Sequence, residues 1–436
     1  MKYLFLNFKN EKIIKSYLSI FLCRLVSGFS IVLLSFLISN KYGIEDSGFF
    51  NFFWTCLLFF TMISKYGNDY YALKVVGICS KNNDSKSNSL FINKAISLVI
   101  LFSFFFFFLF NILEYLGFLN FLKSKQLKAI SLSVFAILPF TLVIFFSSVL
   151  KGFRSKSLAY ILDQGGIAFF LIFLIFVFEF DIVSDLLYFF CISSFFVLVS
   201  LYYSLQYYYQ IFYSKKWLFR PYLKSLKDIF NNSRNYFFYT LSDFILYWSP
   251  IILVSLLSNL YDTGIYSNIL RLSQIIVFFM AIINTLLAPK LAAELNKDKI
   301  NFLTLKNLFN NAVLYNFLIG LLILIIIIFC TPLILNYVGL DYSKHFWIIF
   351  FLYFSQLIKL INGPTIYFLN MSKEGGNYSV SLAKINFLLS ISIFPLLIFI
   401  HGIIGASIAF FVVTLLVNVY AAYRLKQDFK ISIFNK

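Results

Sequence analysis

The sequence predicts an all-α fold, a polytopic membrane protein of about 12 transmembrane helices, on three observations. Of 436 residues, 61% are hydrophobic and 12% are charged, whereas soluble domains carry about 25% charged residues. Apolar stretches of about 20 residues, the length at which a helix crosses a bilayer, recur along the whole chain. Runs such as 101–110 and 321–330 are apolar on every side, unlike the alternating strands of a membrane β-barrel. Lipid is therefore the main surrounding of this chain.

Twelve segments have the length and hydropathy of a span. In order, the predicted spans are 16–38, 47–66, 90–112, 129–150, 157–178, 184–210, 236–257, 265–288, 308–335, 345–369, 378–400 and 402–423. The longest connection is basic and lies near the middle of the chain. It predicts an N-terminal six-helix lobe over 1–212, a cytoplasmic linker over 213–235 and a C-terminal six-helix lobe over 236–436.

The distribution of Lys and Arg predicts the orientation. The net charge of +18 would suggest nucleic acid in a soluble protein, but here the basic residues lie mainly in the loops between spans. One side of the membrane receives 26 of them and the other side five. Because cytoplasmic loops retain Lys and Arg, both termini are expected in the cytoplasm, and nucleic acid is not an expected partner.

An internal repeat links the two predicted lobes. The segment 39–51 contains Ser-Asn, Tyr, an acid, a hydroxyl residue followed by Gly, an aromatic residue and Asn, and the segment 258–268 has the same order. Gly48 and Gly264 are corresponding positions, and six predicted spans separate the copies. An even number predicts lobes that run in the same direction, related by a parallel pseudo-twofold axis along the membrane normal.

Charged side chains inside predicted spans are the candidate functional residues, because each costs roughly 2.5–3.5 kcal/mol at mid-membrane on insertion scales. Six are candidates: Arg24, Asp163, Asp243, Arg271, Lys359 and Lys384. Arg24, Arg271 and Lys359 lie deepest, each with polar or small residues three or four positions away on the same helix face. These three are predicted to line a functional cavity.

The other three charged residues leave alternatives open. Lys384 lies about six residues into its span, so it either lines the cavity or extends to the cytoplasmic surface. Asp163, at similar depth, either pairs locally or couples an ion. Asp243 either exchanges a coupling ion or neutralises Arg271.

Motifs of enzymes are not found. His345 and His401 have no Cys or carboxylate at metal-ligand spacing, so no metal site is predicted, and no phosphate-binding loop of the GxxxxGKS/T kind is present. We expect a protein that is not an enzyme and has no cofactor. A proton gradient, a sodium gradient or the membrane potential would then supply energy.

Four basic against two acidic residues among these six candidates favour an anionic cargo, since Arg matches phosphate through its planar fork of donors. A phosphorylated or diphosphorylated lipid fits, because its head needs a charged cavity while its tail stays among the membrane lipids. The expected substrate is therefore a lipid-linked anion.

Several short motifs also carry a family resemblance. They are the turn Tyr42 to Phe49, Leu138-Pro139, Leu150 to Arg154, Gly264-Ile265-Tyr266, Arg271-Leu272 and Ala288 to Ala292. With these motifs in this order, the chain resembles, over its full length, the polysaccharide-type flippases of the multidrug/oligosaccharidyl-lipid/polysaccharide (MOP) exporter superfamily, specifically the O-antigen flippase (Wzx) branch. It departs from that pattern at 65–69, where a Gly-rich signature is reduced to a single glycine.

The resemblance implies a V-shaped pair of lobes around a cationic cavity in the bacterial cytoplasmic (inner) membrane. It implies alternating access that moves an undecaprenyl-diphosphate-linked oligosaccharide from the inner to the outer leaflet. Glycan polymerase and chain-length proteins are the implied partners. The implied substrate contacts are Arg24, Arg271, Lys359 and Lys384.

Three other functions compete with this interpretation. A cation-coupled drug exporter of the same superfamily would favour acidic groups in the cavity. A peptidoglycan-precursor flippase would usually have two more spans. A membrane-embedded glycan polymerase or ligase would usually have a large external loop, and the link near 113–128 is short.

Overall fold

The computed structural model describes residues 11–153, 156–178, 181–212, 226–295, 302–372 and 375–430. Within these ranges every regular element is an α-helix, which confirms the predicted all-α class. The helices are α1 (Glu11–Tyr42), α2 (Ile44–Lys65), α3 (Asn68–Lys81), α4 (Ser85–Tyr115), α5 (Ser124–Gly152), α6 (Lys156–Ile161), α7 (Gln164–Val177), α8 (Ile182–Phe212), α9 (Lys227–Tyr247), α10 (Ser249–Leu257), α11 (Leu260–Leu295), α12 (Phe302–Val338), α13 (Phe346–Met371) and α14 (Gly375–Phe429).

Eight of the described helices are long and apolar enough to cross a membrane, or nine if α9 and α10 form one bent span. The two last predicted spans lie in α14, which Gly402 interrupts with φ 57° and ψ −134°. We refer to the parts of α14 before and after Gly402 as its first and second limbs. The polytopic membrane class is thus confirmed, while the count of 12 and the cytoplasmic termini stay predictions.

Three predicted segments differ from the structure. The span expected over 157–178 is wrong as a continuous helix, because the chain leaves helical geometry at Asp163 between α6 and α7. The span expected from 236 begins earlier, at Lys227, and bends by 45° before α10, where Pro250 occupies the first turn. The link after the second span contains an additional helix, α3.

By their contacts the helices form two compact units. The first unit comprises Met1–Leu37 and Cys56–Phe237, and the second comprises Ile38–Thr55 and Phe238–Lys436. Residues 38–55 therefore group with the C-terminal helices, whereas the sequence assigned them to the N-terminal lobe. The predicted linker over 213–235 is helical from Lys227, and its part over 213–225 lies outside the described residues.

In the first unit, α5 packs against α3, α4 and α8. Phe140 and Phe145 of α5 are fully buried, and Phe140 lies 5.7 Å from the ring of Phe190 in α8. The turn between α2 and α3 packs on α9, where Tyr66 stacks on Phe237 with centroids 4.5 Å apart. This turn holds the 65–69 segment whose glycine content departs from the family pattern.

In the second unit, α13 packs against α11, α12 and α14. α12 approaches α13 closely, because a Cβ on Gly320 would lie 2.2 Å from a Leu360 methyl group. The tips of α1 and α2 join this unit through a tight turn at Gly43, whose φ of 96° favours glycine. This turn places Ser39, Ser47 and Asn51 against α11.

Candidate functional site

Arg24 and Lys151, two basic side chains of the first unit, both lie against the ring of Tyr160. The guanidinium carbon of Arg24 is 4.2 Å from the ring centroid, and Nζ of Lys151 is 4.8 Å from it. Arg24 Nη2 also donates a hydrogen bond to the Tyr160 hydroxyl at 2.5 Å. Because aromatic faces attract cations, one tyrosine of α6 holds a basic residue of α1 near one at the end of α5.

Asp163 supplies the negative charge of this group. Its Oδ2 accepts a hydrogen bond from Lys151 Nζ at 2.6 Å, with the Lys and Asp side chains 15% and 21% exposed. Its Oδ1 accepts from the backbone N–H of Gln164 at 2.8 Å and so caps the first turn of α7. We call Arg24, Lys151, Tyr160 and Asp163 the Tyr160 cluster. It brings together two cations and one carboxylate, and Lys151 is the local partner of Asp163 that the sequence left open.

A close crossing of α1 and α7 positions Arg24. A Cβ on Gly165 would lie 2.0 Å from Oγ and 2.5 Å from Cα of Ser27, so any side chain there would separate the two helices. Ser27 follows Arg24 by one helical turn. The Gly165 contact therefore holds the start of α7, with its Asp163 cap, near the basic residue of α1.

Arg271 lies elsewhere, in a buried polar cluster of the second unit. Its side chain is 2% exposed, and Nη2 donates to Oδ1 of Asn51 at 2.6 Å. Asn268 Nδ2 donates to the hydroxyls of Ser39 and Ser47, each at 3.3 Å. We call these five residues the Arg271 cluster. Its side chains come from the end of α1, the start of α2 and α11, so their hydrogen bonds hold these three helix segments together.

A small cavity of about 80 Å³ also lies in the second unit, among α9, α13 and both limbs of α14. Its polar lining includes Ser242, Asp243, Lys359, Asn386, Thr414 and Asn418. Nζ of Lys359 lies 3.8 Å from the ring centroid of Tyr247. Two of the candidates, Asp243 and Lys359, thus share one site, which we call the Lys359 cavity.

Hydrogen bonds order one wall of the Lys359 cavity. Asn386 Nδ2 donates to the backbone oxygen and the hydroxyl of Ser242, both at 2.9 Å. Thr414 and Asn418 are 2% and 4% exposed, and the Asn418 amide donates to the Thr414 backbone oxygen at 2.7 Å. Oγ1 of Thr414 and Oδ1 of Asn418 have no hydrogen-bond partner in the described part of the chain.

The six candidates therefore fall into four places. One is the Arg271 cluster, and the other three hold the remaining five residues. Arg24 and Asp163 belong to the Tyr160 cluster. Lys359 and Asp243 line the cavity named for the lysine. Lys384 is exposed, and the cavity lining includes its neighbours Ala383 and Asn386 rather than Lys384 itself.

Sequence reasoning missed several members of these sites. Lys151 was counted as a loop charge, although it stands 12 residues before Asp163 across a helical break that hydropathy does not reveal. Asn51 and Asn268, in contrast, could be singled out from the sequence, because they end the two copies of the internal repeat. Tyr160 and Tyr247 carried no signal, since the chain has 29 tyrosines.

The fold is that of transporters of the MOP superfamily. The chain is similar to a multidrug resistance MATE family transporter in an inward-facing conformation, with a TM-score of 0.66 and 14% identity over 94% of this chain and 99% of that one. It is similar to the Lipid II flippase MurJ in an inward closed conformation, with a TM-score of 0.70 and 15% identity over 96% and 89%. A MOP superfamily transporter from Pyrococcus furiosus gives 0.58 and 14%, over 96% and 97%.

The family follows from the sequence itself. A model of the family described as polysaccharide biosynthesis protein matches residues 13–293, which is more than half of the chain. The chain belongs to this polysaccharide biosynthesis protein family, and the resemblance to the MOP superfamily is confirmed. The comparison with curated proteins gives no match.

Proposed function

We propose that this chain is a flippase for an undecaprenyl-diphosphate-linked oligosaccharide, the repeat unit of O-antigen or of a related surface polysaccharide. It moves this substrate from the inner to the outer leaflet of the bacterial cytoplasmic membrane by alternating access. Membership of a polysaccharide biosynthesis family and a fold shared with a Lipid II flippase both support this proposal.

The Tyr160 cluster is the observation that carries the choice of an anionic substrate. Two cations face one carboxylate there, so the cluster keeps a net positive charge. Arg24 has five N–H donors in a fork that matches phosphate oxygens, and the described contacts use one of them. A diphosphate can therefore bind Arg24 while the Lys151–Asp163 pair remains in place.

A cation-coupled drug exporter is the second candidate, because a MATE transporter shares the fold over nearly the whole chain. A site for hydrophobic cations needs acidic groups that face the cargo. Here Asp163 is bonded to Lys151, and Asp243 shares its cavity with Lys359. The charge of both sites therefore favours the flippase. A peptidoglycan-precursor flippase would bind the same diphosphate and differs in its glycan.

Complementation tests the proposal. The full-length chain is expressed in cells that lack their own O-antigen flippase, and surface glycan is scored for the wild type, Arg24→Ala and Arg24→Lys. We expect the wild type to restore glycan, Arg24→Ala to lose at least 90% of it, and Arg24→Lys to fall between, because lysine keeps the charge without the fork.

Lys344→Ala is the matched control. It also removes one positive charge, but Lys344 is 74% exposed and pairs with Asp341 in the turn before α13. It should restore glycan like the wild type. A wild type that restores no supplied lipid-linked glycan but exports cationic dyes would refute the flippase. Restored growth in cells depleted of their peptidoglycan-precursor flippase, without restored surface glycan, would reassign the substrate.

A further inference from the structure

The Lys359 cavity is small. Its volume is about 80 Å³, and roughly 10–15 Å³ of such space holds one water molecule. Several water molecules or one small ion fit. The cavity therefore suits a small cation.

We propose that this cavity is a monovalent-cation site whose resident ion is the ammonium of Lys359, and that the site exchanges its charge by losing and regaining the Lys359 proton. Its place in coupled transport rests on the proposed function, whereas its existence as a cation site does not. Three features of the wall carry the proposal.

The first feature is the set of oxygen atoms. Oγ1 of Thr414 and Oδ1 of Asn418 line the cavity, are buried and have no donor among the described residues. The Asp243 carboxylate lines the same space. Hydroxyl, amide and carboxylate oxygens are the atoms that bind hard cations, and an ammonium donates three hydrogen bonds to the same atoms.

The second feature is the position of the ammonium. Lys359 stands midway along α13 and is half-buried, with the Tyr247 ring 3.8 Å from Nζ. Cation–π attraction holds a charged group at that point. The ammonium of Lys359 is therefore the cation that the oxygen atoms of the wall bind, and a bound metal ion is not required.

The third feature is a route for the proton. Asp243 is exposed whereas Lys359 is half-buried, so of the two groups the carboxylate is the more accessible to the surroundings. When the proton leaves Nζ, the N–H electron pair stays on nitrogen and the proton bonds to a carboxylate oxygen of Asp243. The acid then releases this proton to water, which leaves a neutral amine beside a carboxylate and lowers the charge of the site by one.

The proton exchange is assigned to Lys359 and Asp243 because the described lining of the cavity holds no other ionisable side chain. Tyr247, which is outside this lining, faces Lys359 with its ring. α14 contributes polar and apolar residues without charge. α11 and α12 also pack on α13, yet the described lining includes no residue from either.

Chemical rescue tests the cation site without any substrate. Lys359→Ala removes three carbons and the ammonium, which n-propylammonium replaces. Thermal midpoints of the purified full-length protein are measured with n-propylammonium chloride, with n-propanol and with sodium chloride at equal ionic strength. We expect n-propylammonium to raise the midpoint of Lys359→Ala by several degrees and to leave the wild type unchanged, with no such gain from n-propanol.

Equal responses of the wild type and Lys359→Ala would overturn the cation site. Lys344→Ala, which removes a lysine from an exposed turn of the same unit, should respond like the wild type. If Lys359→Ala yields no folded protein, the arginine variant in the next experiment decides the proposal instead.

Proton exchange is tested with Lys359→Arg, which keeps a cation that stays protonated over the whole range. Thermal midpoints of this variant and of the wild type are measured from pH 6 to pH 10. We expect the difference between the two curves to change with pH, and Asp243→Asn to reduce that change. A flat difference would overturn proton exchange.

Glycan complementation separates this proposal from the proposed function. If the wild type restores surface glycan, but rescue is absent and the difference curve is flat, the Lys359 site alone is refuted. A wild type that restores no glycan but shows both rescue and a pH-dependent difference retains the site and loses the flippase assignment.

Discussion

Gly48 and Gly264 lie at backbone contact in the second unit, although 216 residues separate them in the chain. A Cβ on Gly48 would lie 1.8 Å from the carbonyl oxygen of Leu260 and 2.9 Å from the backbone nitrogen of Gly264. A Cβ on Gly264 would lie 2.1 Å from the carbonyl oxygen of Ile44. Since the two glycines are corresponding positions of the internal repeat, its two copies pack against each other.

Substitution of either glycine should destabilise the second unit. The nearest atom that a new Cβ meets at either position is a backbone carbonyl oxygen, which cannot move aside without separating α2 from α11. We expect Gly48→Ala and Gly264→Ala each to cost about 1–3 kcal/mol, as in other overpacked sites. The measurement is the thermal midpoint of the purified protein in detergent.

Gly77→Ala is the control for both glycine variants. The nearest atom to its new Cβ is 3.9 Å away, and alanine favours the helical state over glycine. This variant should be neutral or slightly stabilising. If Gly48→Ala and Gly264→Ala behave like Gly77→Ala, the close crossing of the two repeats is wrong.

The Arg271–Asn51 bond should show coupling in a double-mutant cycle. Because Arg271 is 2% exposed, removal of Asn51 leaves a buried guanidinium with one acceptor fewer. Asn51→Ala and Arg271→Ala should each lower stability, and their effects should fall short of additivity by about 1.5–3 kcal/mol, the scale of a charge-assisted hydrogen bond. Additive effects would mean that the bond does not contribute to stability. Thermal midpoints of the three variants provide the test.

The sequence predicted the helical membrane class well because hydropathy acts over about 20 residues and tolerates local irregularity. It failed where a single residue redirects the backbone. Asp163 caps the start of α7 inside a segment whose composition predicts one continuous span. At Gly402, by contrast, the predicted boundary between the last two spans coincides with the interruption of α14 at φ 57°.

The candidate sites were predicted as residues but not as groups. Charged side chains in spans are conspicuous, so Arg24, Arg271 and Lys359 could be selected one by one. Which of them meet depends on helix crossings that sequence spacing does not encode. The exception is the Arg271 cluster, where the repeat had already singled out Asn51 and Asn268.

Asp163 should act mainly as a helix cap and as the partner of Lys151. Asparagine caps helices as well as aspartate does, so Asp163→Asn removes the ion pair and keeps the cap, whereas Asp163→Ala removes both. We expect the alanine variant to be less stable than the asparagine variant by about 1 kcal/mol. Thermal midpoints distinguish them. Equal losses in the two variants would show that the cap contributes nothing.

Substitutions of Tyr160 should show whether its ring and hydroxyl position Arg24 for substrate binding. Tyr160→Phe removes the hydroxyl that accepts from Arg24 but keeps the ring 4.2 Å from the guanidinium, whereas Tyr160→Leu removes both. A hydrogen bond from a charged guanidinium contributes about 1.5–3 kcal/mol and a half-buried cation–π contact about 0.5–2 kcal/mol, so glycan complementation should fall in the order wild type, phenylalanine, leucine. Tyr261→Phe, an exposed tyrosine of the second unit, is the control and should match the wild type. Full activity of Tyr160→Leu alongside an inactive Arg24→Ala would show that Arg24 acts without this ring.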